Sequence, residues 1–276
     1  MSRQPTQKLE AITVDYKTAL QCAQLSQDIY VDFAGDISFM ALPKAASQLV
    51  QSSQTDTQLA ILEDPVESKT VIVFRGSENN RDWETNLQVG TQEQNWTQQK
   101  KEAFREEMKE VVETVTDNGD LIYPEEYGEP SRPVKMHRGF INAYLSVRDE
   151  IHAHVQKSKT AQYRITGHSL GGAIAALCAV DLQYNFGQKI AIDVYTFGAP
   201  RVGNDAFSDS YNRRIPNTWR VVNGWDAVTG LPAPWQGYRH VEETVKLAQK
   251  FTWKLITGSF EDHKISRYIA AIEKQI

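Results

Sequence analysis

The feature that most constrains the fold is the pentapeptide Gly167-His168-Ser169-Leu170-Gly171, which has the pattern G-x-S-x-G. Residues 162–166 before it combine β-branched and aromatic side chains as a short strand does, and residues 172–181 after it are rich in alanine, the best helix former. A serine between a strand and a helix in this pattern lies on a sharp, strained turn that exposes its hydroxyl. The start of the helix also favours negative charge beside that hydroxyl. The pattern therefore predicts that Ser169 is a nucleophile.

The composition is that of a single globular domain covering residues 1–276. Of these residues, 41% are hydrophobic and 24% are charged, which allows a sizeable core. The formal net charge of -5 offers no overall basic surface, so we expect no nucleic-acid partner.

Three features predict a cytoplasmic location, with at most peripheral contact with membranes. Residues 1–10 are polar and lack the apolar core of a signal peptide, and the longest apolar stretch, residues 173–180, is too short to span a bilayer. The two cysteines, Cys22 and Cys178, lie in helical patterns and do not form a disulfide framework. We therefore expect both to be buried, reduced thiols.

Alternating strand and helix patterns predict an α/β fold. A hairpin is expected from residues 59–62, a turn at Asp64-Pro65, and residues 70–74, whose continuous apolar run is typical of a strand covered on both faces. Further strands are expected around residue 165, at 190–197 and at 219–222, and Asp15 is the expected cap of an early helix. Because helical patterns lie between most of these strands, we expect a mostly parallel sheet flanked by helices.

Residues 91–134 are predicted to form a helical insertion. Within them, residues 99–115 carry apolar side chains at steps of three and four among many charges, which predicts an amphipathic helix. Residues 119–133 are rich in Pro, Gly and Glu and are expected to form a loop.

A serine nucleophile requires a base and a carboxylate, which follow the serine in the order acid and then histidine in this class of fold. The preferred acid is Asp226, just past the strand at 219–222, where functional groups gather in open α/β sheets. Asp193, Asp205 and Asp209 are rivals that are better explained as helix caps or surface groups.

Two histidines follow Ser169 with room for the acid between, namely His240 and His263. We prefer His263 as the base because it lies on a loop before a final helix, and His240 remains the alternative. His152 and His154 have an H-x-H spacing, but they would lie on different faces of a helix without a suitable third ligand. We therefore expect no catalytic metal and no cofactor.

An oxyanion formed by attack of the serine needs preorganised donors. One is expected to be the backbone N–H of Leu170, directly after the nucleophile. The second is expected from Ser77, which follows the buried strand through Arg75 and Gly76.

Several segments of the chain together resemble the class 3 lipases, the fungal triacylglycerol lipase-like family. The matching blocks are VIVFRGS at 71–77, HRGF at 137–140 with Ala143 and Tyr144, ITGHSLGG at 165–172, YTFGAPRVGN at 195–204, and VVN at 221–223 through Asp226 to Pro232. The resemblance extends from about residue 59 to residue 263. It implies an α/β-hydrolase fold, a triad of Ser169, Asp226 and His263, and oxyanion donors at Ser77 and Leu170.

The resemblance also assigns Arg81, Trp83 and Leu87 to a short lid helix over the site, and gives His240 a structural role. The chain departs from the family in having Thr229 where Pro is common and in placing a tyrosine at Tyr268, further from the base. Family members are mostly secreted and disulfide-bonded, whereas this chain resembles an intracellular bacterial branch.

The expected activity is hydrolysis of acyl esters of lipids through an acyl-enzyme. Triacylglycerols, phospholipids and galactolipids are all candidate substrates, as are small esters, and a transient contact with a membrane or lipid-droplet surface stays open. Two alternatives are a catalytically silent lipase-like interaction protein and an acyltransferase.

Overall fold

The computed structural model describes residues 14–31, 33, 35, 37–76, 112–114, 132–241, 244–247 and 260–276. The helices are α1 (Tyr16–Asp28), α2 (Arg138–Leu145), α3 (Arg148–Lys157), α4 (Leu170–Phe186), α5 (Asp205–Arg214), α6 (Phe260–His263) and α7 (Ile265–Ile272). The strands are β1 (Ala46–Gln51), β2 (Gln58–Asp64), β3 (Lys69–Phe74), β4 (Val112–Thr114), β5 (Lys135–His137), β6 (Gln162–His168), β7 (Ala191–Phe197), β8 (Thr218–Val222) and β9 (Thr244–Lys246).

Within the described residues, the central sheet has the strand order β1-β2-β3-β6-β7-β8-β9. The first three strands are antiparallel, and every later pair is parallel. The expected hairpin of β2 and β3 is confirmed, with Ile61 opposite Ile72. The sheet is therefore mostly parallel, as predicted, and β3, β6, β7 and β8 bring their carboxyl ends to one edge.

Helices cover both faces of the sheet, which explains the apolar runs in its strands. Alternate residues of β3 belong to different clusters: Ile72 packs with α2, α3 and α4, whereas Val71 packs with the end of α1. On the α1 side, helix α7 joins α1 against β7 and β8. Burial on both faces requires apolar side chains at successive positions rather than at alternate ones.

Helix α1 begins as predicted, because the side chain of Asp15 accepts a hydrogen bond from the backbone N–H of Lys17. Cys22 lies buried on α1 and Cys178 lies buried on α4, in clusters on opposite faces of the sheet. Both are free thiols, and each is inaccessible to the other because the sheet lies between them.

The predicted helix over 99–115 is wrong at its C-terminal end. Residues Val112–Thr114 form β4, which pairs antiparallel with β5. Val112 and Thr114 are β-branched, so they lose side-chain freedom in a helix and suit a strand once a partner strand is available. The rest of the predicted helix lies outside the described residues.

Candidate active site

Ser169 occupies the turn between β6 and α4, at the edge where the parallel strands end. Its backbone has φ +57° and ψ -129°, a region that residues with a side chain rarely adopt. The turn is held from the adjacent strand, since the N–H of Ser169 donates to the carbonyl of Phe197 at 2.9 Å. Strain at this residue is the geometry that the G-x-S-x-G pattern predicted.

The two glycines of the pattern are required by close contacts between backbones. A Cβ on Gly167 would lie 2.4 Å from the carbonyl of Gly171, and a Cβ on Gly171 would lie 2.3 Å from the carbonyl oxygen of Phe74. Strand β3, the elbow and the first turn of α4 therefore pack at distances that only glycine allows.

Leu170 is the first residue of α4, and its amide belongs to the first turn, whose N–H groups have no acceptor within the helix. A helix N-terminus stabilises a negative charge beside it. The loop after β3 passes against the elbow, since a Cβ on Gly76 would lie 2.6 Å from the carbonyl oxygen of His168 and 3.3 Å from Cβ of Ser169. Ser77 directly follows Gly76 but lies outside the described residues, as do Arg81, Trp83 and Leu87.

His263 is the last residue of α6 and lies between Ser169 and Asp226. Its Nε2 is 2.9 Å from Oγ of Ser169, and its Nδ1 is 2.8 Å from Oδ2 of Asp226. The three side chains come from positions far apart in the chain and form a continuous hydrogen-bonded line. Such a line allows His263 to accept the serine proton while the carboxylate stabilises the resulting imidazolium.

The carboxylate of Asp226 is fully buried and held by several donors. Its Oδ1 accepts the N–H of Val228 at 2.9 Å, and its Oδ2 accepts the Tyr268 hydroxyl as well as Nδ1 of His263. Burial and the neighbouring carboxylate raise the pKa of Tyr268 well above its ordinary value, so the hydroxyl remains a donor. A buried carboxylate with these partners keeps a fixed orientation toward the base.

Two further contacts join the segment that carries the acid to the segment that carries the base. The side chain of Asp262 accepts the N–H of Trp225 at 3.1 Å, and Nδ2 of Asn223 donates to the backbone carbonyl of Asp262 at 3.0 Å. The residues that make these bonds lie close to Asp226 and His263 in the chain, so the bonds hold the two side chains in position relative to each other.

Gly198 is a site residue to which sequence reasoning assigned no role. It follows β7 with φ +61°, and a Cβ there would lie 2.7 Å from Oδ2 of Asp226 and 2.9 Å from Nδ1 of His263. A glycine directly after a buried strand was the available signal. The reason for this glycine is the side chain of His263, which lies 37 residues beyond Asp226 in the chain and is brought to Gly198 only by the fold.

The rival acids and the rival base have other partners. Asp193 binds the guanidinium of Arg164 at 2.9 and 3.0 Å. Both Asp205 and Asp209 lie near Arg132, at 4.0 and 3.1 Å. His240 has its Nε2 2.6 Å from the carbonyl of Thr229, and burial lowers its pKa to about 3. It therefore remains neutral and away from Ser169.

The H-x-H pair is split between two partners. Nε2 of His152 lies 2.5 Å from the buried carboxylate of Asp181, whereas Nε2 of His154 lies 3.5 Å from Glu63. In the part of the chain that the structure describes, no group of three or more His, Cys, Asp or Glu side chains is arranged to hold a metal ion. Over the same residues, no helix has the length and apolar character needed to cross a bilayer.

Comparison with known proteins gives a consistent set of matches. The sequence model of a family described as Lipase (class 3) matches residues 71–235. The secreted mono- and diacylglycerol lipase 1 of Fusarium solani is 30% identical over 195 residues, which are 69% of this chain and 47% of that protein. The secreted mono- and diacylglycerol lipase MDL2 of Malassezia globosa is 35% identical over 137 residues, which are 47% of this chain and 44% of that protein. The chain thus spans about half the length of these curated relatives.

Among solved structures, the triacylglyceride lipase of Rhizomucor miehei is 26% identical with a TM-score of 0.61, covering 84% of this chain and 78% of that one. The expected α/β-hydrolase architecture is confirmed by this likeness together with the mostly parallel sheet.

The prediction of a cytoplasmic location is wrong by this comparison, since the relatives from Fusarium solani and Malassezia globosa are named secreted lipases. The physical reason lies partly in the cysteines. Cys22 and Cys178 are separated by the central sheet, so their free thiols reflect the geometry of the fold rather than the compartment.

Proposed function

The chain belongs to the class 3 lipase family, and from that premise we propose that it hydrolyses acyl esters of lipids through an acyl-enzyme on Ser169. The observation that carries the proposal is the hydrogen-bonded line from Asp226 through His263 to Ser169, with distances of 2.8 and 2.9 Å. The strained elbow at the start of α4 supports it independently.

The first half of the reaction forms the acyl-enzyme. Nε2 of His263 takes the proton of the Ser169 hydroxyl as Oγ attacks the ester carbonyl, and Asp226 stabilises the imidazolium. The N–H of Leu170 donates to the oxyanion, and Ser77 stays the predicted second donor. Such donors contribute several kcal/mol in comparable sites. The tetrahedral intermediate then releases the alcohol, which takes the proton from Nε2.

The second half releases the fatty acid. Water gives a proton to His263 as it attacks the acyl carbonyl, and collapse of the second intermediate returns that proton to Oγ of Ser169. No step requires a metal or an organic cofactor.

We take acylglycerols as the substrate class. The relatives from Fusarium solani and Malassezia globosa are named mono- and diacylglycerol lipases, and the solved relative from Rhizomucor miehei is named a triacylglyceride lipase. The same names favour action outside the cell. Assignment to a bacterial branch stays a prediction, and the intracellular part of that assignment is withdrawn with the cytoplasmic location. The lid helix at Arg81, Trp83 and Leu87 also stays a prediction.

The proposed contact with a lipid surface uses Trp235. Its side chain is 79% exposed, on a short turn that follows Asp226 in the chain. Arg201 donates to the carbonyls of Gly230 and Pro232, which holds this segment against the fold. Tryptophan favours lipid–water interfaces because its ring is apolar and its N–H is polar. The net charge of -5 favours a neutral lipid surface over an anionic one.

The proposal is tested with purified wild-type protein and the Ser169→Ala variant. The wild type is expected to release fatty acid from mono-, di- and triacylglycerols and to react with a fluorophosphonate probe, whereas the variant does neither. Ester hydrolysis that survives Ser169→Ala would contradict the mechanism. A wild type that is folded but neither labels nor hydrolyses would indicate the silent interaction protein, and acyl products formed with added alcohols in preference to water would indicate the transferase.

A further inference from the structure

His168, the residue before the nucleophile, makes a contact that the reaction described above does not use. Its Nε2 lies 2.6 Å from the backbone carbonyl oxygen of His263, and its Nδ1 lies 2.7 Å from the hydroxyl of Tyr30, just after α1. The rings of His168 and His263 are adjacent, with centroids 4.5 Å apart. One side chain of the elbow therefore binds the main chain of the base.

The partners determine which nitrogen of His168 carries the proton. A backbone carbonyl can only accept, so Nε2 must be the donor to His263. Nδ1 of the neutral ring then has a lone pair, and the Tyr30 hydroxyl donates to it. The result is a directed chain in which Tyr30 donates to His168 and His168 donates to the carbonyl of His263.

The ring is kept neutral by its surroundings. His168 is buried, and burial together with the neighbouring His263 holds the pKa of His168 well below its usual value. A neutral ring with both nitrogens bonded has one stable tautomer, so the donor to His263 is always present.

Tyr30 is itself held in place by the residue that follows strand β3. The guanidinium of Arg75 donates to the carbonyls of Tyr30 and Val31 at 3.2 and 3.1 Å. A Cβ on Gly76 would lie 2.2 Å from the Tyr30 hydroxyl, so a glycine at this position leaves room for the bond to His168. Tyr30 is thus held by Arg75 and accommodated by Gly76, which directly precede the predicted oxyanion residue Ser77 in the chain.

We propose that His168 is a positioning residue for the reaction. It holds the imidazole of His263 in position relative to Oγ of Ser169, and it is itself oriented by Tyr30. His263 ends a helix of four residues, and the bond from His168 ties its carbonyl to the residue that precedes the nucleophile. The side chain of His168 therefore links the base to the segment that carries the nucleophile. A displacement of about 1 Å between reacting groups can cost about 10²-fold in rate. This inference rests on the proposed function.

The test compares His168→Phe, which keeps a ring without a donor, with His168→Gln, whose amide N–H reaches toward the same carbonyl. We expect kcat on p-nitrophenyl butyrate to fall roughly 10- to 100-fold in His168→Phe, with KM within twofold of wild type. We expect His168→Gln to recover most of that loss. The rate constant for fluorophosphonate labelling of Ser169 should fall in parallel with kcat, because labelling depends on the same base.

Tyr30→Phe provides a second measurement if His168→Phe does not fold. It should lower kcat by roughly 3- to 10-fold, since the buried Nδ1 loses its donor. Tyr238→Phe is the matched control, because among the described residues the hydroxyl of this buried tyrosine has no hydrogen-bond partner, so its removal should leave kcat unchanged.

The proposal is overturned if folded His168→Phe retains kcat within twofold, if the Phe and Gln variants lose the same activity, or if Tyr30→Phe behaves as Tyr238→Phe does. A fall in melting temperature without a fall in kcat would show a packing role and would also overturn it. Absence of labelling and hydrolysis in the wild type would contradict the proposed function instead, so the two failures are distinct.

Discussion

Replacement of Asp226 by Asn tests the proposed chemistry most directly, because it removes one charge and changes almost no volume. In the wild type, Oδ1 accepts from the N–H of Val228, and Oδ2 accepts from Nδ1 of His263 and from the Tyr268 hydroxyl. An amide has one oxygen where the carboxylate has two. If that oxygen keeps the bond to Val228, the NH₂ group faces His263.

The NH₂ group cannot accept a hydrogen bond from Nδ1–H, so the imidazole of His263 changes to the tautomer that carries its proton on Nε2. Nε2 then cannot take the proton from Ser169, 2.9 Å away. The same change in an Asp-His-Ser triad costs about 10⁴-fold in kcat through this tautomer. That factor corresponds to about 5.4 kcal/mol of transition-state free energy. We therefore expect kcat of Asp226→Asn to fall about 10⁴-fold.

The assay measures kcat and KM on p-nitrophenyl butyrate together with the melting temperature. Asp209→Asn is the matched control, since this aspartate pairs with Arg132 at the surface and should retain its activity. A folded Asp226→Asn protein with kcat within tenfold of wild type would refute the reasoning. Such a result would mean that Asp226 does not set the tautomer of His263.

Three other predictions concern the site, the pH dependence of stability and the lipid surface. Gly198→Ala should lower kcat more than 100-fold, because its Cβ would meet both triad partners at under 3 Å. Gly230→Ala should match wild type, because apart from the chain neighbours no atom of the described residues lies within 4 Å of the new Cβ. Equal activities of the two variants would refute this. The pKa of His240 is about 3 in the folded protein and about 6.5 in the unfolded protein, so the unfolded state takes up the proton first as the pH falls. Between pH 7 and pH 5, the free energy of unfolding of the wild type, measured with denaturant, should therefore fall by roughly 2 kcal/mol more than that of His240→Gln. Equal falls in the unfolding free energy of the two proteins would contradict this prediction. Trp235→Ala should lower the ratio of the rate on emulsified triolein to the rate on soluble p-nitrophenyl butyrate about tenfold, since burial of such a ring contributes about 1.5 kcal/mol or more. Met40→Ala, in a similarly exposed residue on the loop after α1, should not change the ratio. Similar ratios in the two variants would exclude Trp235 as the contact.

Local pattern was sufficient where an element's conformation depends on its own residues. Asp15 caps α1, residues 70–74 form a strand covered on both faces, and the elbow has the strained backbone expected of Ser169. In each case the residue types that favour the conformation lie within a few positions along the chain. Chain order likewise pointed to Asp226 and His263, because the order acid and then histidine follows from the topology of the sheet.

Local pattern failed where a distant partner determines the conformation. Residues Val112–Thr114 have helical periodicity but pair with β5. A short stretch adopts a strand when a neighbouring strand offers a ladder, and that neighbour is absent from the local sequence.

The sequence by itself determined the nucleophile, the order of its partners and the class of fold, since each depends on spacing and on residue type along the chain. Only the tertiary structure decided how the groups are held: Gly198 leaves space for the acid and the base, Tyr268 binds the acid, and His168 ties the base to the elbow. These contacts join residues between 28 and 95 positions apart. Packing of helices on both faces of one sheet brings these distant residues together, and no local pattern encodes that packing.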